Sequence, residues 1–198
     1  MCKPITKGEV INQAILAAAL IAIAMGMGRA AAAQEVIDAT AFGTSTQMGK
    51  NVAVKIIIDR YSTAEDKKTI DEAFAKGQNQ GLVNALSKMK SVGRIQIPGT
   101  LGYDIAYAVS VPSPTGRTVR FVTNRKISFG EAYRNTQSQA YNLTAGQINI
   151  DNQDSKKNAG VLYPAAQLVI NKDGDLQIEL RKNPWRLSGI IVRGEQKE

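Results

Sequence analysis

The stretch Ile105-Ala106-Tyr107-Ala108-Val109-Ser110-Val111-Pro112-Ser113-Pro114-Thr115-Gly116-Arg117-Thr118-Val119-Arg120-Phe121-Val122-Thr123 decides the fold class. Ile105, Tyr107, Val109 and Val111 recur at every second position, the period of a strand with one face in a core. Residues 112–116 combine two prolines with a glycine and turn the chain, and Val119, Phe121 and Thr123 resume the alternation, so the stretch predicts an antiparallel hairpin. Downstream, further strands are expected over 139–150, 161–170, 176–180 and 187–192. Lys172-Asp173-Gly174-Asp175 supplies an Asp-Gly pair suited to a type I′ turn. Upstream, residues 92–97 read as a strand, and Val52, Val54, Ile56 and Ile58 alternate with Ala53, Lys55 and Ile57. About eight strands result, enough for a strongly curved sheet, a sandwich or a barrel.

Between the first of these strands and the rest the period changes from two to that of a helix. Ser62-Thr63-Ala64-Glu65 has the form of a capping box, in which Ser62 and Glu65 satisfy each other's backbone N–H groups. Ile70, Ala73 and Phe74 follow as an apolar stripe, Gly77 suits a left-handed C-cap, and Leu82, Val83, Leu86 and Met89 mark a second helix over 79–90. The fold class is therefore α+β: a mainly antiparallel, strongly curved sheet or partly closed β-barrel, with an inserted helical hairpin at about 63–90. Residues 34–51 are polar and aperiodic and are expected to form a flexible leader or an edge segment, with a single β-rich domain over 52–198.

The chain has 198 residues, 43% of them hydrophobic and 21% charged, an ordinary composition for a folded domain. It contains no histidine, and Cys2 is its only cysteine. Zinc sites built on His and Cys, Ser-His-Asp triads, cysteine nucleophiles and internal disulfides are excluded by that inventory. The first 33 residues read as a secretory signal peptide: Lys3 and Lys7 precede an apolar run from Ala14 to Met27, and Arg29 and the small residues Ala30 to Ala33 follow. That run falls short of the roughly 20 residues a membrane-spanning helix needs, so cleavage after Ala33 is expected, with no transmembrane anchor afterwards. Losing Lys3, Lys7, Arg29 and Glu9 lowers the net charge from +8 to +6. A periplasmic or secreted destination follows from the signal.

Three segments carry a family resemblance: Arg60-Tyr61-Ser62-Thr63; Val92-Gly93-Arg94-Ile95 with Pro98-Gly99-Thr100-Leu101-Gly102-Tyr103-Asp104; and Phe121-Val122-Thr123-Asn124-Arg125-Lys126-Ile127-Ser128-Phe129. Together they resemble a family of exported bacterial proteins with no assigned activity, over roughly residues 52 to 193. The resemblance implies export and a β-rich domain, and no substrate, cofactor or catalytic residue. The third segment has Asn124 and Lys126 where the family pattern carries Asp and Pro.

Candidate chemistry is sparse. Ser87-Lys88-Met89-Lys90 matches S-x-x-K, but Ser87 falls near a helix end and the companion motifs of such enzymes are absent, so the segment reads as a polar helix terminus. Asp104, with Glu131 as a second carboxylate or Tyr103 beside it, is the one acid–base grouping, and it would require convergence in space. Asp151-Asn152-Gln153-Asp154-Ser155 and Asn171-Lys172-Asp173-Gly174-Asp175 lack the calcium-loop spacing and read as turns. No metal site and no cofactor are expected. Asn142-Leu143-Thr144 matches the glycosylation sequon by accident if the chain is bacterial.

Positive charge interleaved with aromatics is the main functional signal. Arg117, Arg120, Arg125, Lys126, Arg134, Trp185 and Arg186 are the candidate ligand-binding residues, Trp185 either as a sugar-stacking platform or as core. The leading expectation is a non-catalytic exported protein that binds an anionic envelope polysaccharide or lipid, not nucleic acid. A carboxylate-dependent hydrolase or transferase, with its cleft near the helical hairpin, and a subunit of an envelope assembly are the alternatives. Each makes a different demand on the fold.

Overall fold

The structure, a computed structural model, describes residues 34–44, 48–127, 143–172, 176–179 and 184–194. Its elements in chain order are β1 (Glu35–Phe42), β2 (Asn51–Ile58), α1 (Ala64–Leu86), β3 (Gly93–Gln96), β4 (Tyr103–Ser113) and β5 (Gly116–Thr123), then β6 (Leu143–Asp151), a 3-10 turn (Ser155–Lys157), β7 (Ala159–Ile170), β8 (Leu176–Glu179) and β9 (Trp185–Arg193). Consecutive strands from β1 to β7 pair antiparallel, β9 pairs with β7 and also with β1, and the ring closes. The result is a closed eight-stranded antiparallel β-barrel, β8 lying outside the ring as a partner of β7. Closure satisfies backbone groups that an open sheet would leave along its edges.

The largest departure from the sequence expectation is β1. Residues 35–42 are no loose leader: β1 pairs with β2 along its whole length and with β9 on its other side. Glu35, Ile37, Ala39 and Ala41 point into the barrel and are buried. The alternation escapes sequence reading because Ala and Thr carry half of it and a carboxylate opens it.

Aliphatic and aromatic side chains fill the barrel interior, among them Ile37, Ile56, Ile58, Ile95, Ile105, Phe121, Ile148, Leu162 and Trp185. An eight-stranded ring is just wide enough for side chains to fill or for one small ligand, and here these buried side chains occupy it. The Phe121 ring lies over its cross-strand partner Gly146 on the neighbouring β6, where a Cβ would overlap it. On β9, Gly189 at φ +61° adds a residue between the partners of Asp38 and Thr40, so that Leu187 and Ile190 both face inward.

A second bulge corrects the reading of the hairpin. Ile105 pairs with Thr123 but Tyr107 pairs with Val122, leaving Ala106 as an extra residue. Ile105 and Ala108 therefore face the interior, while Tyr107 and Val109 turn to the outer face and Val111 is exposed. Bulges bend and twist a strand, which barrel curvature requires. The turn itself is as expected, with Ser113 opposite Gly116 and only Pro114 and Thr115 between them.

α1 covers the outer wall that the bulge makes apolar. Ile70, Leu82 and Leu86 are buried against Ala106, Tyr107, Val122, Leu143, Ala145, Ala166 and Leu168, and Phe74, Val83 and Met89 pack at the margin. The cap lies one residue later than expected. Thr63 Oγ1 accepts from Asp66 N at 3.2 Å and Asp66 Oδ2 accepts from Thr63 N at 3.0 Å, completing a capping box. Ser62 is occupied elsewhere: its Oγ accepts from Ala108 N at 3.0 Å and its N donates to Ala108 O at 2.8 Å, stitching the link to β4. Within the span of α1 the backbone leaves helical geometry at Gly77 and Gln78.

Candidate functional site

β1 begins and β9 ends at one rim of the barrel, called here the lower rim, which also receives the links to α1 and the β4–β5 turn. Glu35 is the first residue of β1 and shares the inward face of Ile37; Arg117, second in β5, shares that of Val119 and Phe121. In the ring β1 and β5 are four strands apart, on opposite walls. Their side chains meet across the barrel mouth: Arg117 Nη2 donates to Glu35 Oε1 at 2.7 Å and Nη1 to Glu35 Oε2 at 3.1 Å, a two-point pairing that fits the planar guanidinium. Tyr61, from the link between β2 and α1, donates its hydroxyl to Glu35 Oε2 at 2.6 Å and accepts from Arg117 Nη1 at 2.9 Å. The three groups form a closed hydrogen-bonded ring.

Its electrostatics suit a tie better than a reaction. Glu35 is only 2% exposed, where an uncompensated carboxylate would cost several kcal/mol. Burial, reinforced by the bond to Glu35 and its charge, pushes the Tyr61 hydroxyl far above its ordinary value. Burial works against the charge on Arg117, but the hydrogen bond and charge of Glu35 outweigh it and hold the guanidinium ionised. General acid–base catalysis needs a group that titrates near the working pH, and neither Tyr61 nor Arg117 does so. Sequence reading singled out Arg117 as a surface cation and missed Glu35 and Tyr61. The parity of Arg117 with Val119 and Phe121 is the signal that it points inward.

The other candidate residues are dispersed. Trp185 is 3% exposed within the interior core, the packing alternative to sugar stacking. Arg120 lies on the outer face of β5, opposite Val109 and Gln147, and its Nε is buried with no hydrogen-bond partner among the described residues. Arg186 is exposed on the outer face of β9 beside Phe42. Arg125 is exposed in the link after β5, its guanidinium 5.0 Å above the Tyr103 ring and its Nη2 donating to Gly102 O at 3.3 Å. Lys126 follows it and is half-buried. Arg134 lies outside the described residues. The six that are described occupy the interior, two outer walls and one rim, so they form no single strip; alternation along each strand separates them.

Tyr103 and Asp104 also part. Tyr103 packs against the interior core, whereas Asp104 is exposed and faces Arg94 across the β3–β4 pair. Glu131 lies outside the described residues, as do residues 1–33 and residues 173–175 of the Asp-Gly turn. Asp151 and Asp154 serve turns: Asp151 Oδ1 accepts from Gln153 N and Asp154 N, both at 2.9 Å, and Asp154 Oδ1 accepts from Lys156 N at 3.0 Å. Those backbone bonds, that from Asp154 foremost, hold the Asp151 carboxyl below its usual range. No cluster of three or more acidic, His or Cys side chains suited to a metal occurs among the described residues.

The upper rim differs in character. Its β1–β2 and β3–β4 links carry Met48 and Leu101, 79% and 98% exposed. The described residues of the links at this rim and beyond β7 include Lys50, Arg125, Lys126 and Lys172 and no carboxylate. Sequence periodicity is blind to Met48 and Leu101; the only signal is a large apolar residue beside a turn glycine, as in Met48-Gly49 and Leu101-Gly102.

The architecture thus defines the chain as a closed antiparallel β-barrel with one helical element on its outer wall. Comparison with protein-family models, with curated proteins and with solved structures finds no match.

Proposed function

We propose that the chain is an exported, non-catalytic protein that binds an anionic or amphipathic component of the bacterial envelope, and that it does so at the upper rim. The observation that carries this reading is the cationic character of that rim, where Lys50, Arg125 and Lys126 stand in the described links. The apolar side chains of the core occupy the interior and direct the reading to an outer surface, and at the lower rim Glu35 and Arg117 are already paired with each other and with Tyr61. Export rests on the signal-like leader, and Glu35 already stands in β1, so cleavage after Ala33 would leave every strand whole. The resemblance to exported bacterial proteins agrees with it. The helical-hairpin reading draws support from the break at Gly77 and Gln78 and from the close approach of Gly81 to the Ala73 carbonyl.

The test is titration of the purified protein with anionic envelope polysaccharide and with lipid vesicles at graded salt. Binding that weakens as salt rises is expected, and no binding at low ionic strength, where surface charge acts furthest, refutes the proposal. Mass measurement of the chain recovered from a bacterial envelope tests export, a chain beginning at Gln34 being the expected result.

A further inference from the structure

We infer that the upper rim is a membrane-docking face whose occupant is a bilayer containing anionic phospholipid; this rests on the binding role proposed above and narrows it. Two tips project there from neighbouring hairpins, since β2 pairs with β3 and the β1–β2 and β3–β4 links leave the same end of the barrel. Leu101 is held outward by its own loop. Thr100 N and Oγ1 donate to Ile97 O at 3.0 and 2.8 Å, Gly102 N donates to Thr100 Oγ1 at 3.1 Å, and Gly99 and Gly102 have φ of +78° and +84°. These bonds close the loop backbone on itself and leave the leucine side chain 98% exposed.

Each apolar tip has a cation beside it. Arg125 donates to the carbonyl of Gly102, the residue after Leu101, and stacks on Tyr103, while Lys50 stands two residues from Met48 on the tight turn at Gly49 (φ +86°). Arg125 uses one of the five N–H donors of a guanidinium in that bond, which leaves donors for phosphate. Lys126 follows Arg125 in the same link. A hydrated anionic polysaccharide would satisfy the cations but offer nothing to Met48 and Leu101. A bilayer surface takes both: phosphates meet the cations, and the apolar tips enter the boundary between headgroups and acyl chains.

The experiment is vesicle flotation with the full chain, produced in a bacterium and used in whatever form the cell leaves it, against vesicles of phosphatidylglycerol with phosphatidylcholine and of phosphatidylcholine alone. Preference for the anionic vesicles is expected, lost at about 0.5 M salt. The double variant Met48→Ser/Leu101→Ser should bind about tenfold or more weakly, and Lys50→Gln/Arg125→Gln about twentyfold more weakly at low salt, at about fivefold per cation. Leu101→Trp supplies a readout local to the rim: its added fluorescence should shift to the blue on anionic vesicles and be quenched by brominated lipid. The exposure of Met48 and Leu101 makes their substitutions compatible with folding, which circular dichroism verifies. Equal binding to both vesicle types, wild-type affinity in either double variant, or added fluorescence in Leu101→Trp that vesicles leave unmoved overturns the inference. Polysaccharide binding that is indifferent to the Met48/Leu101 pair, with no vesicle binding, overturns membrane docking alone, and silence with both ligands at low salt overturns the binding role as well.

Discussion

Replacing Arg117 by Met removes the cation from the ring at the lower rim while keeping much of the side chain's length. Glu35, 2% exposed, is then left with Tyr61 as its remaining partner in the ring. Breaking a buried ion pair from one side costs about 3–5 kcal/mol. The low end applies, because the Arg117 side chain is 18% exposed and its removal admits water, and because Tyr61 still donates to Glu35 at 2.6 Å. The expected loss is about 3 kcal/mol, or a midpoint lowered by about 6–12 °C for a domain of this size. Removing both charges by Glu35→Met/Arg117→Met should recover much of that loss, since an apolar replacement of a buried pair is often near neutral. Urea unfolding followed by circular dichroism measures both, with an unchanged slope showing that the variants unfold from the same state. A loss under about 1 kcal/mol for Arg117→Met, or a double variant no more stable than the single, would refute the view that this ring ties opposite barrel walls.

The raised Tyr61 group links the ring to pH. A group whose folded value lies above its unfolded value of about 10 gives stability that is full below pH 10 and lost as pH rises beyond it. Wild type should therefore lose stability above about pH 10 more steeply than Tyr61→Phe; Tyr163, also raised by burial, is common to both and cancels, and parallel pH curves would contradict the cause assigned here. Gly146→Ala should cost about 1–3 kcal/mol through overlap with the Phe121 ring, and Phe121→Leu in the same chain should relieve part of that cost; thermal unfolding of the wild type, both single variants and the double variant decides it. Thr63→Ala should lose about 1 kcal/mol through the helix cap, whereas Glu65→Gln should lose almost nothing, and equal losses in urea unfolding would move the cap back to Ser62.

Much of the local structure was legible in the residues. The two-residue alternation of β2 and β5, the Pro-Thr turn between β4 and β5, and the stripe of Ile70, Leu82 and Leu86 all record which side of an element faces apolar neighbours, and a sequence carries that information directly. The Asp151 and Asp154 turns were equally plain, because their hydrogen bonds reach only two or three residues along the chain. Ser62 and Thr63 mark the limit. Both begin a capping pattern, and which one caps the helix depends on Ala108, 46 residues away, claiming Ser62.

What only the tertiary structure decided is pairing at a distance. Periodicity states that a residue faces inward but not what it meets there. The alternation of Ala39 and Ala41 becomes meaningful only once β9 lies beside β1 and the ring closes. The Ala106 bulge, which sends Tyr107 outward to α1, follows from the curvature of that ring. Arg117 could be read from sequence as one cation among many; its partners Tyr61 and Glu35 stand 56 and 82 residues away, and closure of the barrel brings the three within hydrogen-bond reach. The same holds at the upper rim, where Leu101 and Arg125 gain a common surface because antiparallel strands return their links to one end. Composition and short-range pattern thus determined most of the elements, β1 excepted, and excluded whole classes of chemistry, whereas neighbours were chosen by non-local hydrogen bonding and close packing, which no local stretch of chain encodes by itself.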